Sequence, residues 1–492
     1  MSENTEQRLK DLETHLQQEN DVLFDVVKIF RKLDHIAYEL GILDEDQSYA
    51  TRVSWWPMVS ILGTFSAGKS SFINYYLGRE LQRTGNQAVD DKFTVISFTH
   101  DANSSTLPGI ALDSDPRFPF YQISRDIAEI TTHDGQRVDA YLQLKTCNCD
   151  VLKGKIIIDS PGFDADSQRT ETLKITKHII DLSDLVLVFF DARHPEPGAM
   201  RDTLQHLVTE TINRPDSNKF MYILNQVDIT AREDNLEEVV AAWQRSLASA
   251  GLTAGRFHRI YNPNAAVTIA DNTMRERMEA KNIVDMNEIR ERMNQVGIER
   301  AYRIVGVLEY TAKEIEHKIV PQLQELIASW KRKVLIFDIV VYGILAMIAV
   351  ATVKNLGLVL KLPEDPTIWW SVVGGVAFVI LLIHYKIAKW LGRRMYSRLL
   401  QVEDDEYNNE GLARAFRRNT GFWRILFMPL LSEPAGWSDY MRKRVRGVLA
   451  DLNQYIQVVN NRFTNPSGKE SAKEPVSKET SSTGSNSDVA VG

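Results

Sequence analysis

The chain has little cysteine. Cys147 and Cys149 are the two it carries in 492 residues. That excludes a disulfide framework, and a lone C-x-C pair makes no metal site, so a reducing compartment is the simpler reading and both thiols read as inert. An apolar leader is also missing: the first residues are polar and charged, which excludes a cleavable signal peptide. There is no excess of positive charge either. A formal net charge of −7 excludes a general nucleic-acid binder. What remains is a long chain of ordinary apolar content, enough for two to four structural units at about 150 residues each.

One stretch organises the rest. Ile61 to Asn74 contains Gly63 and Gly68-Lys69-Ser70, the phosphate-loop pattern G-x-x-x-x-G-K-[ST]. Gly63 and Gly68 let the backbone turn tightly and approach phosphate oxygens. The amides of the loop, through Thr64, Phe65, Ser66, Ala67 and on to Ser71, form a concave anion site at a helix start, where the helix dipole adds positive potential. Lys69 would reach the β- and γ-phosphates, and the Ser70 hydroxyl would ligate magnesium. An apolar run, Met58 to Leu62, precedes the loop as a strand. Phe72, Ile73, Tyr76 and Leu77 follow at helical spacing.

Alternating apolar runs and helical stretches over 55–271 predict an α/β nucleotide domain with a mostly parallel, doubly wound sheet. Its expected strands are Met58–Leu62, Phe93–Thr99, Lys155–Asp159, Leu185–Asp191 and Phe220–Asn225. Ligands of such sheets bind beyond the C-terminal strand ends. Two of those ends carry chemistry. Asp159-Ser160-Pro161-Gly162 offers a carboxylate for magnesium and a glycine amide for the γ-phosphate. Asn225-Gln226-Val227-Asp228 offers Asp228, which can accept two hydrogen bonds from N1 and N2 of guanine. His194 reads as a solvated loop residue, and so do Asp164 and Asp166.

Outside this domain the pattern is helical. Residues 1–54 predict one amphipathic helix, with Leu9, Leu12, Leu16, Leu23, Val26, Phe30 and Leu33 on one stripe. A strut packed within the chain is expected in preference to a free coiled coil. Residues 272–333 predict a helical stalk whose stripe runs Ile304, Leu308, Ala312, Ile315, Ile319, Leu323, Ile327 and Trp330, kinked at Pro321. Two apolar runs, 334–353 and 368–385, are long enough to span a bilayer and form a hairpin over 334–385. Lys331, Arg332 and Lys333 precede it and Lys386, Lys389, Arg393 and Arg394 follow. The positive-inside rule then places both flanking regions in the cytoplasm and the short loop outside. This predicts an integral, multi-pass protein, placed in a bacterial inner membrane by its lack of eukaryotic targeting signals. Asp338 lies near the cytoplasmic end of its run, within reach of water. Residues 386–463 read as returning helices. Within them Arg414, Arg417, Arg418 and Arg424 mix with Phe416, Phe422, Trp423 and Phe427, which suits either an anionic membrane surface or a packed helix pair. Residues 464–492 predict a disordered tail.

The phosphate loop, D-x-P-G and N-[KQ]-x-D in this order resemble the dynamin superfamily of large GTPases. The nucleotide domain is most similar to the EH-domain-containing relatives, whose fourth strand is matched by Leu185 to Ala192, although no EH domain is visible. The resemblance implies that Lys69 binds β/γ-phosphate and that Ser70 and Asp159 serve magnesium. It implies that Ser66 holds a charge-compensating group or monovalent cation, and that Ser66 and Lys69 carry the catalysis. Asp159 and Gly162 would form the second switch, while Asn225, Gln226 and Asp228 would face the base. With Phe163 after Gly162 there is no catalytic glutamine, so hydrolysis would rest on positioning and be completed when two nucleotide domains meet. The family's first-switch threonine has no clear counterpart. The best local match puts Asp90 there, with Thr84 and Thr94 as other candidates. Asp228 points to GTP, while the EH-domain relatives bind adenine nucleotides, so ATP stays open. The implied activity is GTP hydrolysis coupled to membrane remodelling, tethering or fusion by a homodimer or oligomer on the lipid bilayer. The alternative is a membrane-bound switch or scaffold with little turnover.

Overall fold

The computed structural model describes residues 2–85, 92–114, 117–118, 138–162, 170–194, 216–233, 235–249, 251–252, 256–356, 366–401, 406–428 and 433–464. The Asp90 candidate, Phe163, Asp164, Asp166, the hairpin loop and the tail lie outside them.

Among the described residues eight strands form one mixed sheet, β1 (Met58–Gly63), β2 (Phe93–Phe98), β3 (Ser105–Pro108), β4 (Leu142–Cys147), β5 (Ile156–Asp159), β6 (Leu185–Asp191), β7 (Phe220–Asn225) and β8 (Arg256–Ile260). They lie in the order β3-β4-β2-β5-β1-β6-β7-β8. β5, β1, β6, β7 and β8 run parallel, as buried strands of near-continuous Val, Ile, Leu and Phe should. β2 crosses antiparallel to β5, and β4 pairs parallel with β2. β3, β4 and β8 were not visible in the sequence. β3 is fully exposed, and β8 carries Arg256, His258 and Arg259 where an apolar run would be looked for.

The N-terminal segment departs from the expected single helix. It is a hairpin of α1 (Glu3–Glu19) and α2 (Asp21–Leu40), broken at Asn20 with φ −154° and ψ 76°. Arg31 closes the pair by donating to Glu6 and Glu13, both at 2.8 Å. Leu9, Leu12 and Leu16 are buried in a core that also contains sheet residues Phe93, Val95, Ile156 and Ile158. Glu19 fixes this union, because its buried carboxylate accepts from Trp56 Nε1 at 2.9 Å and from the Gly154 amide at 3.3 Å.

Past the sheet one helical path leads away. α3 (Lys69–Leu77) follows the phosphate loop, and α4 (Asn272–Glu314) begins after β8. Met286, Ile289, Met293 and Val296 of α4 pack against the sheet, whereas Ala301, Ile304, Val305 and Leu308 enter the helical core. A π-turn over Ile315–Ile319 joins α4 to α5 (Val320–Leu356). It takes the place of the expected kink at Pro321, whose missing N–H and bulky ring are absorbed by the wider turn just before it. The helix is continuous over 84 residues, Asn272–Asn355, about 126 Å at 1.5 Å per residue.

α5 and α6 (Pro366–Leu399) each contain a stretch long and apolar enough to cross a membrane, and there the apolar side chains face outward, Ile339 at 64% and Met347 at 71% exposure. The two helices are joined by Trp330 Nε1 to the Ala388 carbonyl at 3.0 Å and by Tyr342 to the Ile380 carbonyl at 2.7 Å. Asp338 does not turn to water. It meets His384 Nδ1 at 2.7 Å. Returning helices α7 (Glu406–Asn419), α8 (Phe422–Leu426) and α9 (Asp439–Thr464) close the bundle, with Arg418 donating to the Tyr38 carbonyl at 2.7 Å. The basic-aromatic stretch divides: Phe416 and Ile425 are buried, while Phe422, Trp423 and Phe427 are exposed.

Candidate nucleotide site

Four adjacent strands end on residues that build one site: Gly63 on β1, Asp159 on β5, Asp191 on β6 and Asn225 on β7. Beyond them lies a cavity of about 330 Å³. Of the sequence-expected residues, Phe65 to Ser71, Asp159, Gly162, Asn225, Gln226 and Asp228 line it, and Gly63 and Thr64 stand just behind.

The loop needs its glycines. Gly68 has φ +79°, and a Cβ there would lie 2.3 Å from Asn225 Nδ2; at Gly63 a Cβ would lie 2.4 Å from the Phe189 carbonyl oxygen. Asn225 Nδ2 in turn donates to the Ala67 carbonyl at 2.9 Å, so β7 holds the loop from the side.

Lys69 folds back over its own loop. Its Nζ donates to the carbonyls of Gly63 at 3.1 Å and Thr64 at 3.0 Å. Burial pushes its pKa down to about 8, against a smaller upward pull from Asp159. An ammonium held this way is short of counter-charge, as an anion site requires.

At the other side of the loop Ser70 Oγ lies 3.4 Å from Asp159 Oδ2. A hydroxyl and a carboxylate side by side are the hard oxygen donors that magnesium takes, so this pair fits that ion. A residue the sequence did not point to sits against them. Gln82 is buried; its Nε2 donates to Asp159 at 2.7 Å and its Oε1 accepts from Lys145 at 2.5 Å. Asn74 pins the same segment by accepting from the Leu81 and Gln82 amides at 2.9 and 2.8 Å. Thr84 reaches the cavity, whereas Thr94 is buried in β2 opposite Asp159.

Ser66 and Gln226 are the non-glycine residues with left-handed backbone among the described residues, φ 58° and 63°. Gln226 Nε2 donates to the Ser66 carbonyl at 2.6 Å. Arg193 Nη2 donates to the same oxygen at 3.1 Å, while its guanidinium is gripped by Asp191 at 2.7 to 3.0 Å. Hydrogen bonding to Asp191 raises the Arg193 pKa. A guanidinium of this protein thus lies at the Ser66 carbonyl. Arg193 was overlooked in the sequence beside His194, which is exposed and does not line the cavity.

Asp228 is buried, and its Oδ2 accepts the Val267 amide at 3.0 Å. Val267, Ala265 and Asn262, on the loop after β8, form the wall beside Asp228. Without β8 in the sequence reading, this wall had no place. Cys147 is buried, its thiol pushed up to about 11 by desolvation, consistent with an inert role.

The dynamin family pattern matches residues 59–227. The span runs from β1 through the loop and Asp159 to the Asn225-Gln226 corner that closes the cavity. Over these residues the chain is dynamin-like. Rat EH domain-containing protein 2 is 26% identical over 180 residues, which is 35% of this chain and 30% of that protein. The probable transmembrane GTPase FZO-like of Arabidopsis thaliana chloroplasts is 25% identical over 231 residues, 46% of this chain and 21% of that protein. The chain thus spans less than a third of the length of these relatives. A solved bacterial dynamin pair overlaps 94% of this chain and 75% of its own, at 12% identity and a TM-score of 0.32. The dynamin domain is the shared part; the helices on either side are described from this chain alone.

Proposed function

We propose that the chain is a membrane-anchored dynamin-like GTPase that couples nucleotide-dependent pairing of its dynamin domains to membrane remodelling, tethering or fusion. One observation carries the reading: the cavity built on four strand ends and the outward-facing apolar hairpin are joined by one helix, Asn272–Asn355. A change at the sheet edge then has a stiff route to the bilayer.

In this mechanism Lys69 leaves the Gly63 and Thr64 carbonyls for the β- and γ-phosphates. Ser70 and Asp159 would hold magnesium, which would neutralise phosphate charge. Asp228 accepts from guanine, with Gln226 lying along the base. Ser66 presents its carbonyl toward the β–γ bridge, and Arg193 supplies positive charge there, a role that a monovalent cation would otherwise fill. Gly162 offers its amide to the γ-phosphate. Two dynamin domains meeting across their cavities would exclude water and complete the site. The hairpin would cross the bilayer with both flanks cytoplasmic, an orientation that the basic residues on either side favour. The Arabidopsis relative is described as a transmembrane GTPase, in keeping with this anchoring.

A second reading has a specific observation behind it. Gln82 occupies Asp159 and is clamped by Asn74, a packing that favours slow turnover and a nucleotide-dependent switch. The anchor and the nucleotide are tested together. Membranes carrying the protein are extracted with alkaline carbonate, and the purified protein is titrated with GTP and ATP beside Lys69→Ala. Retention in the lipid pellet with GTP preferred, and loss of binding in the variant, is the expected result. Release by carbonate or preference for ATP would overturn the corresponding part.

A further inference from the structure

The free edge of the sheet carries a second cluster of chemistry, well apart from the nucleotide cavity. β8 is the last strand, and its outer amides are taken by side chains of α4: Arg259 N donates to Asp285 Oδ2 at 2.8 Å and Tyr261 N to Asn282 Oδ1 at 3.1 Å. Next to the first of these contacts stands His258. It is 4% exposed; Nε2 has no hydrogen-bond partner, and Nδ1 has only loose contacts with carboxylates. A buried imidazole left in that state is destabilising unless a further partner satisfies it. Its Nδ1 faces Glu288 Oε2 at 3.4 Å and Asp285 Oδ1 at 3.8 Å. Asp285 and Glu288 are three apart on α4, hence on one face. One ligand atom from each of the three residues falls within 4.8 Å of the others.

We propose that His258, Asp285 and Glu288 bind a divalent transition-metal ion, zinc by preference, that clamps the sheet edge to α4. The distances suit it. With metal–ligand bonds of about 2.0–2.1 Å, the edge of a tetrahedron is about 3.4 Å, so the two separations from His258 need only small adjustments, and the exposed Glu288 side chain can close the remaining one. The donor set suits it as well, since imidazole with carboxylates selects zinc and its neighbours over magnesium or calcium. A cavity of about 370 Å³ opens beside His258 and Glu288, leaving the fourth position to water. The backbone bond from Arg259 fixes the Asp285 carboxylate from behind, as the outer partners of metal ligands do. Lys281 now holds Asp285 Oδ1 at 2.6 Å, and being 44% exposed it is free to swing into solvent when the ion enters. The consequence is mechanical: the ion would lock the strand that carries the base-side wall to the helix that leads to the membrane.

The test uses tag-free full-length protein in detergent, stripped with a chelator and free of nucleotide. Zinc is titrated by calorimetry and cobalt by visible absorption. One equivalent per chain, with the intense ligand-field bands of four-coordinate cobalt, is expected. His258→Ala and Glu288→Gln should weaken zinc at least tenfold, while Lys69→Ala should leave it unchanged. Glu288 is 57% exposed, so its variant reports on the site even where removing the buried histidine harms the fold. Zinc should raise the melting temperature of the parent and not that of Glu288→Gln. Absence of stoichiometric uptake, or uptake equal in Glu288→Gln and the parent, would overturn the proposal.

Discussion

Gln226 donates its side-chain amide to the Ser66 carbonyl at 2.6 Å, and both residues hold left-handed backbone. Each such non-glycine residue costs roughly 1–2 kcal/mol, and the two meet where the cavity joins phosphate side to base side. Strain kept at a binding site is expected to serve binding. Gln226→Gly relieves the backbone and loses one hydrogen bond of about 1 kcal/mol. Its melting temperature should therefore stay within a few degrees of the parent. Its nucleotide affinity should fall about tenfold, read by fluorescent-nucleotide titration. Arg193→Ala should weaken binding in the same direction without the gain in backbone freedom.

Gly68→Ala places a methyl group 2.3 Å from Asn225 Nδ2 and forces alanine to φ +79°. Asn225 must then release the Ala67 carbonyl. Nucleotide binding should drop by at least tenfold while far-ultraviolet circular dichroism stays at the parental level. A variant that binds normally would show that the loop is not held by β7.

Lys69 titrates near 8 in the free protein because burial outweighs the pull of Asp159. Bound phosphates would raise that value. Affinity should hence be flat below pH 8 and fall as pH rises above it, where binding must first take up a proton. Calorimetry at pH 8.5 in buffers of different ionisation enthalpy should register that uptake. Lys69→Arg, charged throughout this range, should lose the pH dependence.

Asp184 ties sheet to stalk. It accepts the Met58 amide at 2.9 Å and Arg303 at 2.6 Å, forms an ion pair with Arg300 at 3.2 Å, and is 1% exposed. Asp184→Asn leaves two guanidinium groups facing a neutral amide. The loss should be about 3 kcal/mol, the low end for breaking a buried pair because Arg303 is half exposed. Urea unfolding followed by tryptophan fluorescence measures it.

The strands that bear the nucleotide chemistry could be read because they are parallel and buried on both faces, leaving near-continuous apolar runs that end on Asp159 or Asn225. β8 could not, since Arg256, His258 and Arg259 interrupt it and leave Phe257 and Ile260 as its two apolar side chains. The break at Asn20 was masked by phase: Leu16 and Leu23 are seven apart, so the helical stripe runs through the turn undisturbed. Gln82 and Arg193 belong to no pattern. Each acts through a fold-dependent contact, with Asp159 and with Ser66, that only the assembled sheet creates. The sequence pattern of the helical core was clear at Ile304, Leu308, Ile315 and Leu323, all buried as their spacing requires.

The measurement closest to the central claim is nucleotide turnover by the full-length protein in liposomes across a range of protein-to-lipid ratios, with GTP and ATP in parallel and Lys69→Ala as the blank. The account predicts GTP hydrolysis per molecule that climbs with surface density, because paired dynamin domains complete each other's site, and that vanishes in the variant. Tight GTP binding with turnover that stays negligible, or constant, at every density would contradict it and leave a nucleotide-dependent switch.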